Sequence, residues 1–287
     1  MFVRINPHLF LLQGSNGGRF PYANSLLVRD EVTAVIDTGA DVADLEQVAR
    51  ECPPDLVINT HFHIDHSRGN SFFPETRILT HEWDARALET REQFLAATGL
   101  FELGEKFYRD GVPCCEAEGV LRDGELLDFG ATKLRVLHTP GHTPGHLALF
   151  HDEEEILFAG DIDLTSFGPW YGNPEADLED FRRSIIKVRD LKPRLVLTGH
   201  LEPVTEGIEE RFNKYLEVLE KRDELLLDFL KEPKTLEEIV DAKLIYRKHP
   251  EPVEVYRRFE ELMIAKHLIS LEKNGLVSKQ GEEYQAS

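Results

Sequence analysis

Short apolar runs alternate with amphipathic stretches up to about residue 206, the rhythm of strands alternating with helices. Residues 28–30 and 33–36 read as a hairpin. Residues 42–51 read as a helix opened by Asp41, and 56–59 as a buried strand. A helix is predicted over 82–98. The stretch 126–137 holds a strand pair turning at Asp128, Phe129 and Gly130, and three more strands follow at 147–150, 156–158 and 195–197. A helix over 178–191 separates the last two. This order predicts an α/β domain over residues 1–206.

The pattern changes after Pro203. Residues 208–230 carry leucines at helical spacing, 235–240 open with the capping-box pair Thr235 and Glu238, and 255–273 form a third helix closed by Asn274 and Gly275. Two short strands around Lys279, Gln280 and Gly281 end the chain, while Pro250 and Pro252 mark 244–252 as a loop. Three helices and a terminal β-wing are the order of a winged helix, which defines a second domain over 207–287.

Composition narrows the function classes. The formal charge is −20, and residues 1–206 carry 19 Lys and Arg against 35 Asp and Glu, while 207–287 carry 14 against 18. Neither part has the basic surface of a tight nucleic-acid binder, because phosphate contacts supply most non-specific affinity. Acidity of this kind suits a solubilised enzyme with a buried cationic centre. No apolar stretch is long enough to span a bilayer and the first residues lack a cleavage-site pattern, so a cytoplasmic protein without a membrane partner is expected. Cys52, Cys114 and Cys115 are too few for a disulfide framework.

The chemistry is concentrated in His61-Phe62-His63-Ile64-Asp65-His66, directly after the apolar run 56–58. Two residues apart in an extended chain, His61 and His63 point the same way and can reach one ion. A turn towards a helix then lets Asp65 and His66 face a second. Three further candidates, His142, Asp161 and His200, each follow an apolar run and a glycine, so ligands from four strands can converge at one sheet edge. Imidazoles and carboxylates without a thiolate favour zinc, with manganese and iron compatible.

The motif His-x-His-x-Asp-His, followed by these Gly-His, Gly-Asp and Gly-His positions, resembles the metallo-β-lactamase-fold superfamily over about residues 1–206. The resemblance implies an αββα sandwich of two mixed sheets holding two divalent metal ions. It implies that His61, His63 and His142 hold the first metal and Asp65, His66 and His200 the second, with Asp161 bridging. Asp37 matches a position that supports the ligand loop. His138 and His146, flanking His142, are expected to orient that loop through hydrogen bonds. With the helix around 235–240, the loop from Tyr246 to Pro250 and the run His267-Leu268-x-x-Leu271-x-x-x-Gly275-Leu276-Val277, residues 207–287 resemble the winged helix of the β-lactamase-like protein 2 type, a branch that includes endoribonucleases acting on single-stranded RNA. The chain departs from that branch in having Leu201 where a second glycine usually follows the last histidine.

Two adjacent dications lower the pKa of a bridging water and deliver hydroxide to an ester, thioester, lactone or phosphodiester. Asp65 is then both a ligand and a proton acceptor. The expected substrate is a small ester or thioester, with RNA as the alternative. Lactonases of the superfamily place a tyrosine three residues after the bridging aspartate, and this chain has Leu164 there. Phe167, Trp170 and Tyr171 either wall an acyl pocket or pack their loop. The second domain is expected to shape the pocket or a homodimer interface rather than to read DNA.

Overall fold

In the structure, a computed structural model, residues 2–101, 103–108, 112 and 114–287 are described. Met1, the first residue of the predicted first domain, lies outside that set. The elements in chain order are β1 (Phe2–Arg4), β2 (Leu9–Leu12), β3 (Ser25–Arg29), β4 (Thr33–Ile36), α1 (Val42–Glu51), β5 (Leu56–Ile58), α2 (Ile64–Ser67), β6 (Arg77–Thr80), α3 (Glu82–Glu89), α4 (Arg91–Thr98), α5 (Gly104–Phe107) and β7 (Gly119–Val120). They continue with β8 (Leu126–Asp128), β9 (Lys133–His138), β10 (Leu147–His151), β11 (Ile156–Phe158), α6 (Leu178–Arg189), β12 (Leu195–Leu197), α7 (Ile208–Phe229), β13 (Lys234–Thr235), α8 (Leu236–Asp241), α9 (Val253–Lys273), β14 (Val277–Gln280) and β15 (Glu283–Ala286).

Strands β1 to β7 lie in sequence order in one sheet, antiparallel up to β4 and parallel from there. The second sheet has the order β12-β11-β10-β9-β8, with only β11 and β12 parallel. Alternation along the strands explains how the sheets stack. Leu9, Leu11, Leu26, Val28 and Ile36 face Val136, Leu147, Leu149 and Phe158 across the inner core. On the outer side of the first sheet, Leu27, Val35 and Val57 pack on Leu45 and Val48 of α1. Outside the second, Ala148, Phe150 and Leu157 pack on Phe181, Ile185 and Val188 of α6, a layer extended by Phe212 and Leu219 of α7. The result is helix, sheet, sheet, helix. Residues beyond 206 join that outer layer, since Ile239, Met263, Leu268 and Leu271 belong to the same apolar cluster.

Most predicted elements stand where the pattern placed them, and the exceptions have local causes. The helix predicted over 82–98 is two helices, α3 and α4. Thr90 sits between them in extended conformation, φ −139° and ψ 155°, and its side chain accepts from the Gln93 amide, capping the second. The hydrophobic pattern also misses β1, β2, β6 and β7, and it starts β3 at residue 28 where the strand begins at Ser25. At the C-terminal end, β13 adds a third strand to the β14–β15 hairpin. No helix among the described residues is long and apolar enough to cross a membrane.

Gly141 shows why the loops between strands and ligands need glycine. Its φ is +126°, and a Cβ there would lie 2.3 Å from the Phe181 Cα on α6. The turn carrying His142 therefore rests directly on the helix backbone. Gly141→Ala combines backbone strain with overpacking and is expected to cost about 2–4 kcal/mol, measured by denaturant unfolding. An unchanged midpoint would contradict that close approach.

Candidate metal centre

β5 ends at Ile58, and the next eight residues supply four of the seven predicted ligands. His61 and His63 turn towards the other ligands, while the intervening Phe62 is buried and packs edge-on against Phe94 at 5.7 Å. α2 begins at Ile64 and carries Asp65 and His66 on its single turn. The loops after β9, β11 and β12 deliver His142, Asp161 and His200 to the same place.

The seven atoms divide into two groups, His61, His63, His142 and Asp161 in one, and Asp65, His66 and His200 in the other. In the first, His61 Nε2, His63 Nδ1 and His142 Nε2 lie 2.9 to 3.2 Å apart. Ligand nitrogens about 2.0–2.1 Å from a tetrahedral zinc are separated by about 3.3 Å. Asp161 spans the groups, with Oδ2 3.2 Å from His142 Nε2 and Oδ1 3.2 Å from His200 Nε2. Asp65 Oδ2 stands 3.5 Å from His200 Nε2 and 4.0 Å from His66 Nε2.

Backbone and hydroxyl partners decide which ring nitrogen each histidine presents. Asp37, fully buried, accepts from the Thr60 amide at 2.7 Å, the Thr60 hydroxyl at 2.8 Å and His66 Nδ1 at 2.7 Å. With its proton given to Asp37, Thr60 Oγ1 accepts from His61 Nδ1, 3.0 Å away. His142 Nδ1 donates to the Trp170 carbonyl at 2.8 Å, and His200 Nδ1 donates to the Gly18 carbonyl. Four rings thus keep their protons on the outside and turn Nε2 inward. His61 and His142 then bring two lone pairs within 3.2 Å, an arrangement that repels unless a cation lies between them. In the second group, His66 Nε2 and Asp161 Oδ1 are 2.8 Å apart but misaligned, and both are buried polar atoms without a hydrogen-bond partner. Orphaned, convergent and buried donors of this kind fit divalent metal ions.

Several supports carried no signal in the sequence. Asp84, on α3, accepts from the Phe62 amide at 3.1 Å, the Thr143 hydroxyl at 2.7 Å and the Gly145 amide at 2.7 Å. It therefore ties the His61–His63 segment to the loop of His142. An acidic residue in a first helical turn looks like ordinary dipole compensation, which hides this role. Burial pushes its carboxyl up to about 7. Asn173 Nδ2 lies 2.9 Å from His63 Nε2, and its Oδ1 is buried without a partner. A flip of that amide would offer the oxygen to an Nε2 proton, as ligation through Nδ1 requires, at the loss of the bond that Nδ2 donates to the His142 carbonyl at 3.2 Å. His146 orients the site as expected, bonding the Thr139 hydroxyl through Nδ1 and accepting from the Asp161 amide through Nε2. His138 bonds the Pro144 carbonyl. The aromatic loop divides by residue: Trp170 and Phe167 line the cleft, while Tyr171 is fully buried and packs.

A model of the metallo-beta-lactamase superfamily matches residues 18–200. The chain belongs to that superfamily. It is 30% identical to an acyl-coenzyme A thioesterase, MBLAC2, of Bos taurus over 218 residues, covering 66% of this chain and 76% of the relative. Similarity to a beta-lactamase-like protein 2 homolog of Drosophila melanogaster runs further, 28% over 296 residues, with 97% of this chain and 89% of the relative covered. A metallo-beta-lactamase family protein from Thermus thermophilus superposes with a TM-score of 0.79 at 28% identity, over 99% of this chain and 100% of the other. The chain is accordingly a metal-dependent hydrolase with the α/β fold of the family.

Protonation in the metal-free protein gives the site a testable signature. Burial pushes His63 down to about 4 and His142 to about 3, and His61 well below its usual value. Burial acts the same way on His66 and His200, but neighbouring carboxylates override it. Asp161 and Asp37 hold His66 well above its usual value, and Asp161 with Asp65 holds His200 at about 10. Below those values a metal must displace protons from the second group, so affinity there rises with pH. We expect loading between about pH 6 and about pH 8 to release protons and to tighten up to about tenfold per pH unit for each proton displaced. Calorimetric titration in buffers of different ionisation enthalpy measures this. Buffer-independent heats would contradict it.

Proposed function

We propose that the protein hydrolyses a small acyl thioester or ester at a centre of two divalent ions, most compatible with zinc. His61, His63 and His142 would hold one ion and Asp65, His66 and His200 the other, with Asp161 between them. Bound there, the ions would supply hydroxide at neutral pH and polarise the attacked oxygen. The rest falls to the chain itself. Asp65, which lines the cleft beside His200, would accept the nucleophile's proton and pass it to the leaving group. Asp37, Thr60 and the Trp170 and Gly18 carbonyls hold the histidines in the required tautomers. The cleft, about 900 Å³, carries many aromatic side chains beside the metal site. That apolar lining is the observation that carries the acyl reading, and the similarity to an acyl-coenzyme A thioesterase supports it.

We read residues 207–287 as a winged-helix unit that closes the cleft. The alternative, cleavage of single-stranded RNA, draws on the nearly full-length similarity to a beta-lactamase-like protein 2 homolog. A side-by-side assay of acyl thioesters, simple esters, lactones and unstructured RNA distinguishes them. Thioester hydrolysis is expected to stop with chelator, return with zinc, and fall by at least about a hundredfold in His63→Ala. RNA cleavage sensitive to chelation, with inert thioesters, would reverse the assignment.

A further inference from the structure

Trp170 joins the metal site to the C-terminal part of the chain. Its carbonyl holds His142, and its ring lies edge-on to His63 at 5.4 Å and edge-on to Phe259 of α9 at 5.1 Å. Its indole Nε1 donates to the Tyr246 hydroxyl at 2.6 Å. Tyr246 is itself fixed, because Glu260, fully buried on α9, accepts from the Ile245 and Tyr246 amides at 2.9 Å each. From α7 the buried Arg222 donates to the Phe167 carbonyl at 2.7 Å, the Pro169 carbonyl at 2.6 Å and the Tyr171 hydroxyl at 2.9 Å. The loop following Asp161 is thus gripped by three C-terminal elements.

The same contacts build an apolar wall. Tyr246 and Tyr256 meet edge-on at 5.6 Å, Tyr256 and Phe259 at 6.0 Å, and Phe107 of α5 meets Phe259 at 6.0 Å. All five rings, with Trp170 among them, line the cleft that contains His63 and His142. The apolar surface therefore begins at the first ligand group, where a reacting carbonyl would lie.

We infer that Trp170, Tyr246, Tyr256, Phe259 and Phe107 form an acyl-binding subsite, and that Phe259 and Tyr246 set which acyl groups it takes. The inference rests on the proposed acyl hydrolysis and names the part of the substrate that residues 207–287 contact. A nucleic-acid strand fits the wall less well. Base stacking needs open ring faces and a cationic track, whereas these rings pack edge against face. Among the described residues lining the cleft, Arg19 is the single Lys or Arg, against the carboxylates of Asp65, Asp161, Asp163 and Glu202.

The test reads binding and needs no turnover. The chain has two tryptophans, and Trp83 is 55% exposed on α3, so Trp83→Phe leaves Trp170 as the sole reporter. Zinc-loaded protein is titrated with straight-chain carboxylates from butanoate to decanoate, following Trp170 fluorescence. Affinity is expected to rise about fourfold per added methylene until the wall is covered. Phe259→Ala should weaken octanoate binding about tenfold while leaving butanoate within about twofold, and Phe259→Leu should recover most of the loss. Tyr246→Phe, which removes only the hydroxyl, should reduce the gain per methylene. Affinity independent of chain length would overturn the subsite, as would a parallel loss on all chain lengths in Phe259→Ala. Tighter binding of nucleoside monophosphates than of decanoate would also overturn it. Chain-length-dependent binding with neither thioester nor ester hydrolysis would instead sink the proposed function and leave the subsite standing.

Discussion

Seven side chains aim lone pairs and negative charge at two points, and the surrounding structure exists to hold them there. Such convergence is unfavourable in a buried place, since each group loses water and gains a repelling neighbour. The molecule meets the cost from outside the cluster. Asp37 lies beneath the ligands and fixes Thr60 and His66 together, and through the Thr60 hydroxyl it also decides the tautomer of His61. Asp84 does comparable work on the other flank by joining two ligand loops. Both carboxylates are shifted upward by burial and restrained by the hydrogen bonds they receive. In the absence of metal, Asp161, with Asp37 at His66 and Asp65 at His200, favours the protonated form of those two rings. Metal ions take the place of those protons when they bind.

The sandwich supplies the rigidity this arrangement needs. Inner-core residues such as Leu26, Ile36, Ile58 and Leu197 are essentially inaccessible, and the first ligand after each of β5, β9, β11 and β12 lies three or four residues beyond the strand. Glycines keep those turns close. Gly160 has φ +53°, and a Cβ on it would lie 2.6 Å from His146 Nε2, the atom that receives the Asp161 amide. Loops held this tightly to a sheet edge preorganise a site better than long flexible ones.

Much of this was legible in the sequence because it depends on local spacing. His61 and His63 are two apart on an extended segment, and His142, Asp161 and His200 each follow a strand and a glycine, so periodicity and turn chemistry let the ligands converge, while the resemblance to the superfamily supplied the two ligand sets. Asp84, Asn173 and Arg222 were not legible. Each acts through contacts distant in sequence, and nothing in their neighbours distinguishes them from a helix-dipole acid, a loop amide and a solvated arginine. The division of Trp170 from Tyr171 was equally hidden, since adjacent residues point opposite ways according to what α7 and α9 present. Thr90 is an intermediate case: its cap on Gln93 is local, but a continuous apolar period over 82–98 masked it.

The proposed centre shares Asp161 between two ions, and the chain's hydrogen bonds orient the histidines of both groups. Metal content of the purified protein after zinc loading and removal of free metal tests this most directly. Two ions per chain are expected, falling to about one in His200→Ala, which leaves the three-histidine group intact. A single ion in the parent chain, unchanged by His200→Ala, would contradict a two-ion centre.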